Sequence, residues 1–280
     1  VVALVGDELE LHQSDLSTFN RCGERFRLSL LRPDLFGPSN DAAVRGTGMH
    51  HAIALVLEGK LDPAEAPEAA HAEVLRIINT EPVKMIQDEL PTVVAEKSAK
   101  LTAAWMRHIL PTVELGGLVE TKFRLPLPMK ANGLQVVLAG QVDYIPPSRG
   151  PDIYDWKTAG RKYYQREKQR TDIQPTVYSY ALTHGAFGEP VAPPITFRYG
   201  VAVMVNGTVT TQLIDVQRTA DHEAWLLDLI ESFLNLMQGV GVERTWPRDE
   251  EQYLCSKVWC PGWDLCKGAR LTPAEDLWTA

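Results

Sequence analysis

Gly140-Gln141-Val142-Asp143-Tyr144-Ile145 and, after a proline-containing break, Ile153-Tyr154-Asp155-Trp156-Lys157-Thr158 are the residues whose reading decides the fold. Both are short, apolar and rich in residues that favour extended chain, the pattern of neighbouring strands. Side chains alternate faces along a strand, so Asp155 and Lys157 project together while Trp156 points the other way. Asp143 shares a face with Gln141 and Ile145, and Gly140 admits a close approach of backbone or ligand. Two carboxylates on neighbouring strands plus a lysine can hold a hard divalent cation and leave an ammonium beside its water, the minimum kit for metal-assisted hydrolysis of a phosphodiester. Asp-x-Lys is nevertheless a common tripeptide, and on its own it most often marks ordinary strand-end charges.

Three further features change that weighting. Gln174 and Tyr178 follow at helical spacing, four residues apart and hence on one face. Upstream stands Gly46-Thr47-Gly48-Met49-His50, and four cysteines occur at positions 22, 255, 260 and 266. The order Asp, turn, Asp-x-Lys, Gln-x-x-x-Tyr resembles the RecB-like branch of the PD-(D/E)XK nuclease superfamily. The glycine-threonine segment is similar to that branch's histidine motif, and Ser14 to Cys22 is similar to its opening motif. The cysteines resemble its iron-sulfur subset, which includes AddB-type nuclease domains and CRISPR-associated RecB-like exonucleases.

At 280 residues and 45% hydrophobic, the chain can bury a sizeable core. Its formal charge of −8 argues against a wholly basic surface but leaves nucleic acid open, because binding depends on local charge. Locally, Lys157, Arg161, Lys162, Arg166, Lys168 and Arg170 face a single acid, Glu167, directly after the Asp155 strand. That is either a phosphate-binding surface or a solvated helix face. No run of about 18 apolar residues occurs, and Val1 to Gly6 lacks the form of a signal peptide. The expectation is a soluble cytoplasmic protein of a bacterial or phage-infected cell, without a membrane partner.

In chain order, residues 2 to 11 suit a short hairpin around Gly6-Asp7, and Ser14 can cap a helix running to about Leu31, ended by Pro33. Asp41 to about Glu58 reads as a helix carrying His50 and His51, which point about 100° apart, so one at most serves a given site. A histidine on an apolar helix is more often a packed core residue. The motif makes His50 the preferred candidate and His51 the fallback. Pro63 to Leu110 has helical composition, broken by Pro67, Pro82 and Pro91, and carries no identifiable chemistry. Val119 to Leu127 and Leu134 to Ile145 form a hairpin around Asn132-Gly133, with Glu120 near one end. Glu120 is a candidate additional acid, although a solvent-facing strand glutamate is the commoner explanation. Pro146, Pro147 and Gly150 mark a loop. A helix begins near Ile173, with Pro175 in its first turn and Gly185 as its stop. Ile195 to Val205 and Thr208 to Val216 make a second hairpin around Asn206-Gly207, and Asp221 to Met237 a last helix.

Cys255, Cys260 and Cys266 fall within twelve residues, which in an intracellular protein points to a metal site rather than disulfides. Cys22 is the remaining cysteine for a fourth ligand, and four thiolates suit either zinc or a [4Fe-4S] cluster. The resemblance favours the [4Fe-4S] cluster, although four residues separate Cys255 from Cys260 where the family commonly has two. Such a cluster would clamp the tail, 250 to 270, onto the first helix and remove on the order of 4 to 5 kcal/mol of unfolded-state freedom, by the disulfide analogy.

The resemblance implies one α/β domain spanning 1 to 280: a restriction-endonuclease-like core, about 117 to 240, with a mixed central sheet flanked by helices, a helical insertion at about 60 to 112 and the stapled tail. It implies a deoxyribonuclease dependent on Mg2+ or Mn2+, an exonuclease on single strands or DNA ends, serving recombination, repair, phage DNA metabolism or CRISPR adaptation. Asp143, Asp155, His50 and the carbonyl of Trp156 would hold the metal. Lys157, Gln174 and Tyr178 complete the catalytic set, and Arg161, Lys162, Arg166, Lys168 and Arg170 would hold DNA phosphates. The alternative is a non-catalytic iron-sulfur DNA-end-binding module of a larger recombination or CRISPR complex. No Gly-x-x-x-x-Gly-Lys-Ser/Thr loop is present, so a helicase would be a separate partner.

Overall fold

The computed structural model describes residues 3–5, 7–36, 39–85, 89–148, 152–249, 255–257 and 259–268. Gly6, Gly150 and residues 250–254 and 269–270 of the predicted tail lie outside them. The fold is α/β, with mixed sheet pairing and flanking helices, and it divides into two compact units.

The first unit takes residues 1–37, 126–139 and 225–280. Strand β1 (Ala3–Val5) pairs antiparallel with β2 (Glu8–His12), and β2 runs parallel to the opening of β4 (Leu134–Ile145), with Leu11 opposite Leu138. The helix predicted from Ser14 to Leu31 is in fact two, α1 (Gln13–Arg21) and α2 (Gly23–Leu31). Cys22, at φ −162° and ψ 105°, is the extended joint between them, and its sulfur accepts from the Arg25 N–H at 3.4 Å. His12 rather than Ser14 caps α1, with Asp15 accepting from the His12 N–H. Phe19, Phe26, Phe233 and Trp246 pack edge-on and stacked into an aromatic core, with ring centroids 5.0 to 6.3 Å apart.

The second unit takes residues 38–125 and 140–224. The end of β4 runs antiparallel to β5 (Asp152–Ala159), β5 is parallel to β6 (Ile195–Val205), and β6 forms a full antiparallel hairpin with β7 (Thr208–Arg218). Asn206 and Gly207 both take positive φ, as the two-residue hairpin turn requires. Strand β3 (Leu118–Ala131) pairs β4. A parallel β5–β6 pair needs a crossover, and this one is built from α6 (Gln165–Thr171) and α7 (Gln174–Thr183).

Helices α3 (Asp41–Leu57), α4 (Ala66–Thr80) and α5 (Pro91–His108) bury the other face of this sheet. Pro67 and Pro91 start helices rather than break them, because a first-turn N–H needs no partner. The segment read as a chemically silent insertion supplies the wall of the core. Trp105 of α5 meets Trp156 of β5 edge-on at 4.8 Å, and both are essentially inaccessible. Gly48 explains part of the Gly-Thr-Gly motif, since a Cβ there would lie 2.6 Å from Val74 Cγ2 and 2.8 Å from the Ala70 carbonyl of α4.

Candidate active site

The site lies within the second unit, where β4 and β5 part company. Their described register contains one pair, Tyr144 with Tyr154, and beyond it side chains answer the Trp156 backbone groups. Asp143 Oδ2 accepts from the Trp156 N–H at 2.7 Å. His50, reaching in from α3, lies with Nε2 2.6 Å from the Trp156 carbonyl oxygen. A carbonyl only accepts, so Nε2 carries a proton, and Nδ1 is left to face the acids. It lies 3.4 Å from Asp143 Oδ2 and 4.0 Å from Glu120 Oε1.

His50, Glu120 and Asp143 each offer a ligand atom, and all these atoms lie within 4.8 Å of one another. An imidazole and two carboxylates form a hard, oxygen-rich donor set suited to Mg2+ or Mn2+. The arrangement fits a cation, which would offset two carboxylates held this close together. Burial holds the Glu120 carboxyl above its ordinary range, and repulsion from Asp143 adds to this. Glu120 takes φ +46°, and Gln141 on the adjacent strand donates to its Oε2. Its side chain is 30% exposed, neither fully solvent-facing nor buried.

Asp155 and Lys157 stand behind that trio. Asp155 is 1% exposed; Gln174 Nε2 donates to its Oδ1 at 2.6 Å, and Lys157 Nζ lies 2.5 Å from its Oδ2. Burial pushes the Asp155 carboxyl up to about 6, against the pull of Lys157. Burial disfavours the Lys157 charge, but Asp155 and Asp143 together hold its pKa above the ordinary value. Gln174 and Tyr178 are buried, with Gln174 bonded to Asp155 and the Tyr178 hydroxyl beside Gln174. Burial and the Asp155 charge raise the Tyr178 hydroxyl. Gly140 is approached by the rings of Phe123 and Tyr178, at 2.8 and 3.2 Å from a notional Cβ.

An open cleft of about 580 Å3 leads to this group, lined by Gly46, Thr47, His50, Glu120, Trp156, Lys157 and Thr158 among others. Thr47 and Thr158 stand in the two quoted motifs, but the sequence assigns neither a role of its own, and only the meeting of α3 with β5 brings them together. Arg161, Lys162, Arg166 and Arg170 are exposed, whereas Lys168 turns inward. Lys168 Nζ pairs with Asp172 at 2.6 Å and sits 4.1 Å over the Tyr163 ring. His51 is exposed on another side of α3.

In the first unit the four cysteines are half-buried. The tail docks on α2: Arg25 donates to the Trp259 carbonyl at 3.3 Å, and a Cβ on Gly262 would meet Leu28 at 2.8 Å. Burial raises the Cys260 thiol, and Cys22 and Cys266 are near enough to add to the effect. Among the described residues no three cysteine sulfurs lie within 4.8 Å of one another. No described helix is long and apolar enough to cross a membrane.

Residues 10–267 match the profile of the PD-(D/E)XK nuclease superfamily. No curated protein matches the chain. Among solved structures it is similar to a protein of Eubacterium rectale provisionally named as an exonuclease, at 15% identity and a TM-score of 0.54, covering 88% of this chain and 86% of the other. It is also similar to the protein SSO0001, at 14% identity and a TM-score of 0.47, covering 96% and 91%. At such identity the first likeness speaks for the fold alone. The match over nearly the whole chain, together with the Asp143, Asp155 and Lys157 geometry, places it: the chain belongs to the PD-(D/E)XK nuclease superfamily.

Proposed function

We propose that this nuclease is a Mg2+- or Mn2+-dependent exonuclease that hydrolyses phosphodiester bonds of single-stranded DNA or DNA ends. The observation that carries the reading is the placing of His50, Glu120 and Asp143 around one point, with the Asp155–Lys157 pair immediately behind it. His50, Glu120 and Asp143 would hold the cation, with the second lone pair of the Trp156 carbonyl and the Asp155 carboxylate within the same wall. When bound, the cation supplies Lewis-acid charge and a more acidic water. Lys157 keeps an ammonium at the cleft wall, where it can orient a water and offset charge developing on the phosphate. Asp155 anchors that ammonium, and Gln174 fixes Asp155. Exposed Arg161, Lys162, Arg166 and Arg170 would hold phosphates without reading bases. The test is Mn2+-dependent release of nucleotides from labelled single-stranded DNA. Asp155→Ala and Lys157→Ala are expected to abolish it with the circular-dichroism spectrum unchanged, and full activity in either refutes the assignment.

Cys22, Cys255, Cys260 and Cys266 are the ligands we assign to a [4Fe-4S] cluster, with zinc as the alternative. Support comes from four half-buried thiols, of which Cys22 opens α2 and lies with Cys266 near enough to Cys260 to affect it, with Arg248 donating to the Cys266 sulfur at 3.8 Å. Anaerobically purified protein is expected to be brown, with iron and sulfide in the metal analysis; colourless protein containing zinc overturns the cluster. We read both units as parts of one cytoplasmic nuclease domain, in keeping with a family match from residue 10 to residue 267. Recombination, repair, phage DNA metabolism or CRISPR adaptation would be its setting, with helicase or adaptation proteins as candidate partners.

A further inference from the structure

The crossover between β5 and β6 begins with a segment, residues 160–172, that is tied down more tightly than its polar composition suggests. The Gln212 side chain of β7 accepts from the Tyr163 N–H at 2.9 Å and donates to the Tyr163 carbonyl at 3.2 Å. Gln165 donates to the Asp215 carbonyl at 2.9 Å, and Gln169 exchanges hydrogen bonds of 2.8 and 2.9 Å with the Gln217 backbone. At the far end Arg218 donates to the Asp172 carbonyl at 2.8 Å. Side-chain amides thus occupy backbone groups along β7, which would otherwise present an open sheet edge.

Two adjacent tyrosines in this segment point opposite ways. Tyr163 packs inward, its ring 6.0 Å from that of Tyr199 and under the Lys168 ammonium. Tyr164 is 65% exposed although the residues on both sides of it are anchored, so its backbone is fixed while its ring stands in solvent. Around it in sequence lie Arg161, Lys162, Arg166 and Arg170, all exposed, and the segment leaves β5 directly after Lys157 and Thr158 of the cleft wall. A fixed aromatic face flanked by cations fits a chain of stacked bases linked by phosphates. In a duplex the base faces are already stacked on one another, so away from the duplex ends such a ring has an open partner only on an unpaired strand.

We propose that Tyr164 is a stacking platform for an unpaired base, making single-stranded DNA the preferred ligand of this surface. The inference rests on the nuclease reading and narrows its substrate class. The test is fluorescence anisotropy in EDTA, where binding is seen without cleavage, using a labelled strand of about 15 nucleotides, the same strand as a duplex, and the same strand carrying abasic sites. Tyr164→Ala is expected to weaken single-strand binding about tenfold, the scale of one lost stacking contact, while Tyr164→Phe stays within about twofold. Duplex and abasic strands are expected to bind wild type and Tyr164→Ala alike. Equal losses on all three ligands, or no loss on the single strand, overturn the proposal. Binding that depends on Tyr164 in a protein inactive with Mn2+ would remove the nuclease reading and leave the stacking role standing. Failure of the wild type to bind any DNA would remove both.

Discussion

Replacing Glu120 by glutamine should move the stability of this protein in opposite directions with and without metal. In the metal-free protein Glu120 and Asp143 offer carboxylate oxygens within 4.8 Å of one another. At an effective dielectric of 20, two unit charges so placed repel by about 3.5 kcal/mol or more before screening by solvent. The Glu120 carboxyl is accordingly held above its ordinary value, so its folded-state contribution is favourable only while it is protonated and is lost as pH rises through that raised value. At pH 8, therefore, Glu120→Gln removes a charge that opposes folding, and an amide oxygen can still accept from Gln141. The metal-free Tm should rise. With Mn2+ at 100 times its Kd, wild type gains about 2.7 kcal/mol, or roughly 5 to 10 °C for a protein of this size. Losing one ligand weakens affinity by at least the roughly 10- to 100-fold that loss of an outer-shell partner costs, which cuts that gain to about 1.4 kcal/mol or less. Thermal melts in EDTA and in Mn2+ read both effects in one experiment. A variant that melts lower without metal yet keeps the full Mn2+ increment would show Glu120 to be a structural strand residue and would refute the three-ligand site.

Other perturbations probe the frame around the site. Gly200→Ala places a Cβ 2.6 Å from Trp156 Cε3, and overpacking of that kind should cost about 1 to 3 kcal/mol in a urea melt; an unchanged midpoint would mean that the Trp156 ring is loosely held. Trp105→Ala should cost about 3 to 5 kcal/mol, whereas Trp105→Phe should cost well under half of that, because the buried indole N–H has no hydrogen-bond partner to lose. Asp172→Asn should destabilise by about 1.5 to 3 kcal/mol at pH 7. Burial opposes the Asp172 charge, but Lys168 prevails and depresses its pKa. The stabilisation is therefore complete above the unfolded carboxylate value and fades as pH falls through the depressed folded one, so melts of the two proteins should converge in acid. A difference that persists there would point to packing instead.

Much of the frame was readable because local rules and tertiary structure agree. The Asn132-Gly133 and Asn206-Gly207 turns, and the start of α7 with Pro175 in its first turn, follow from backbone preferences that packing does not override. The break at Cys22 was not readable, because Leu16, Phe19, Phe26 and Leu30 keep an apolar helical recurrence across it. Its cause is remote in the chain. The Pro247 carbonyl accepts the Glu24 N–H at 3.0 Å, and Glu24 accepts the Trp246 N–H at 2.9 Å, so residues more than two hundred positions away cap a helix that would otherwise have continued.

The site shows the same division, and one physical reason accounts for it. Alternation on β5 puts Asp155 and Lys157 on one face, as the sequence suggests, but alternation fails at Glu120, where φ +46° breaks the pleat and the period-two rule no longer aims the side chain. What pattern reading cannot supply is the parting of β4 from β5 after Tyr144 and Tyr154. A buried strand must have its N–H and C=O groups answered, and at Trp156 β4 no longer answers them. Asp143 takes the N–H and His50 the carbonyl. Those bonds leave His50 Nδ1 and the Asp143 carboxylate turned toward Glu120, so the repair of a broken ladder and the assembly of a cation site are carried out by the same two side chains. Substituting either residue should therefore cost both folding stability and metal affinity.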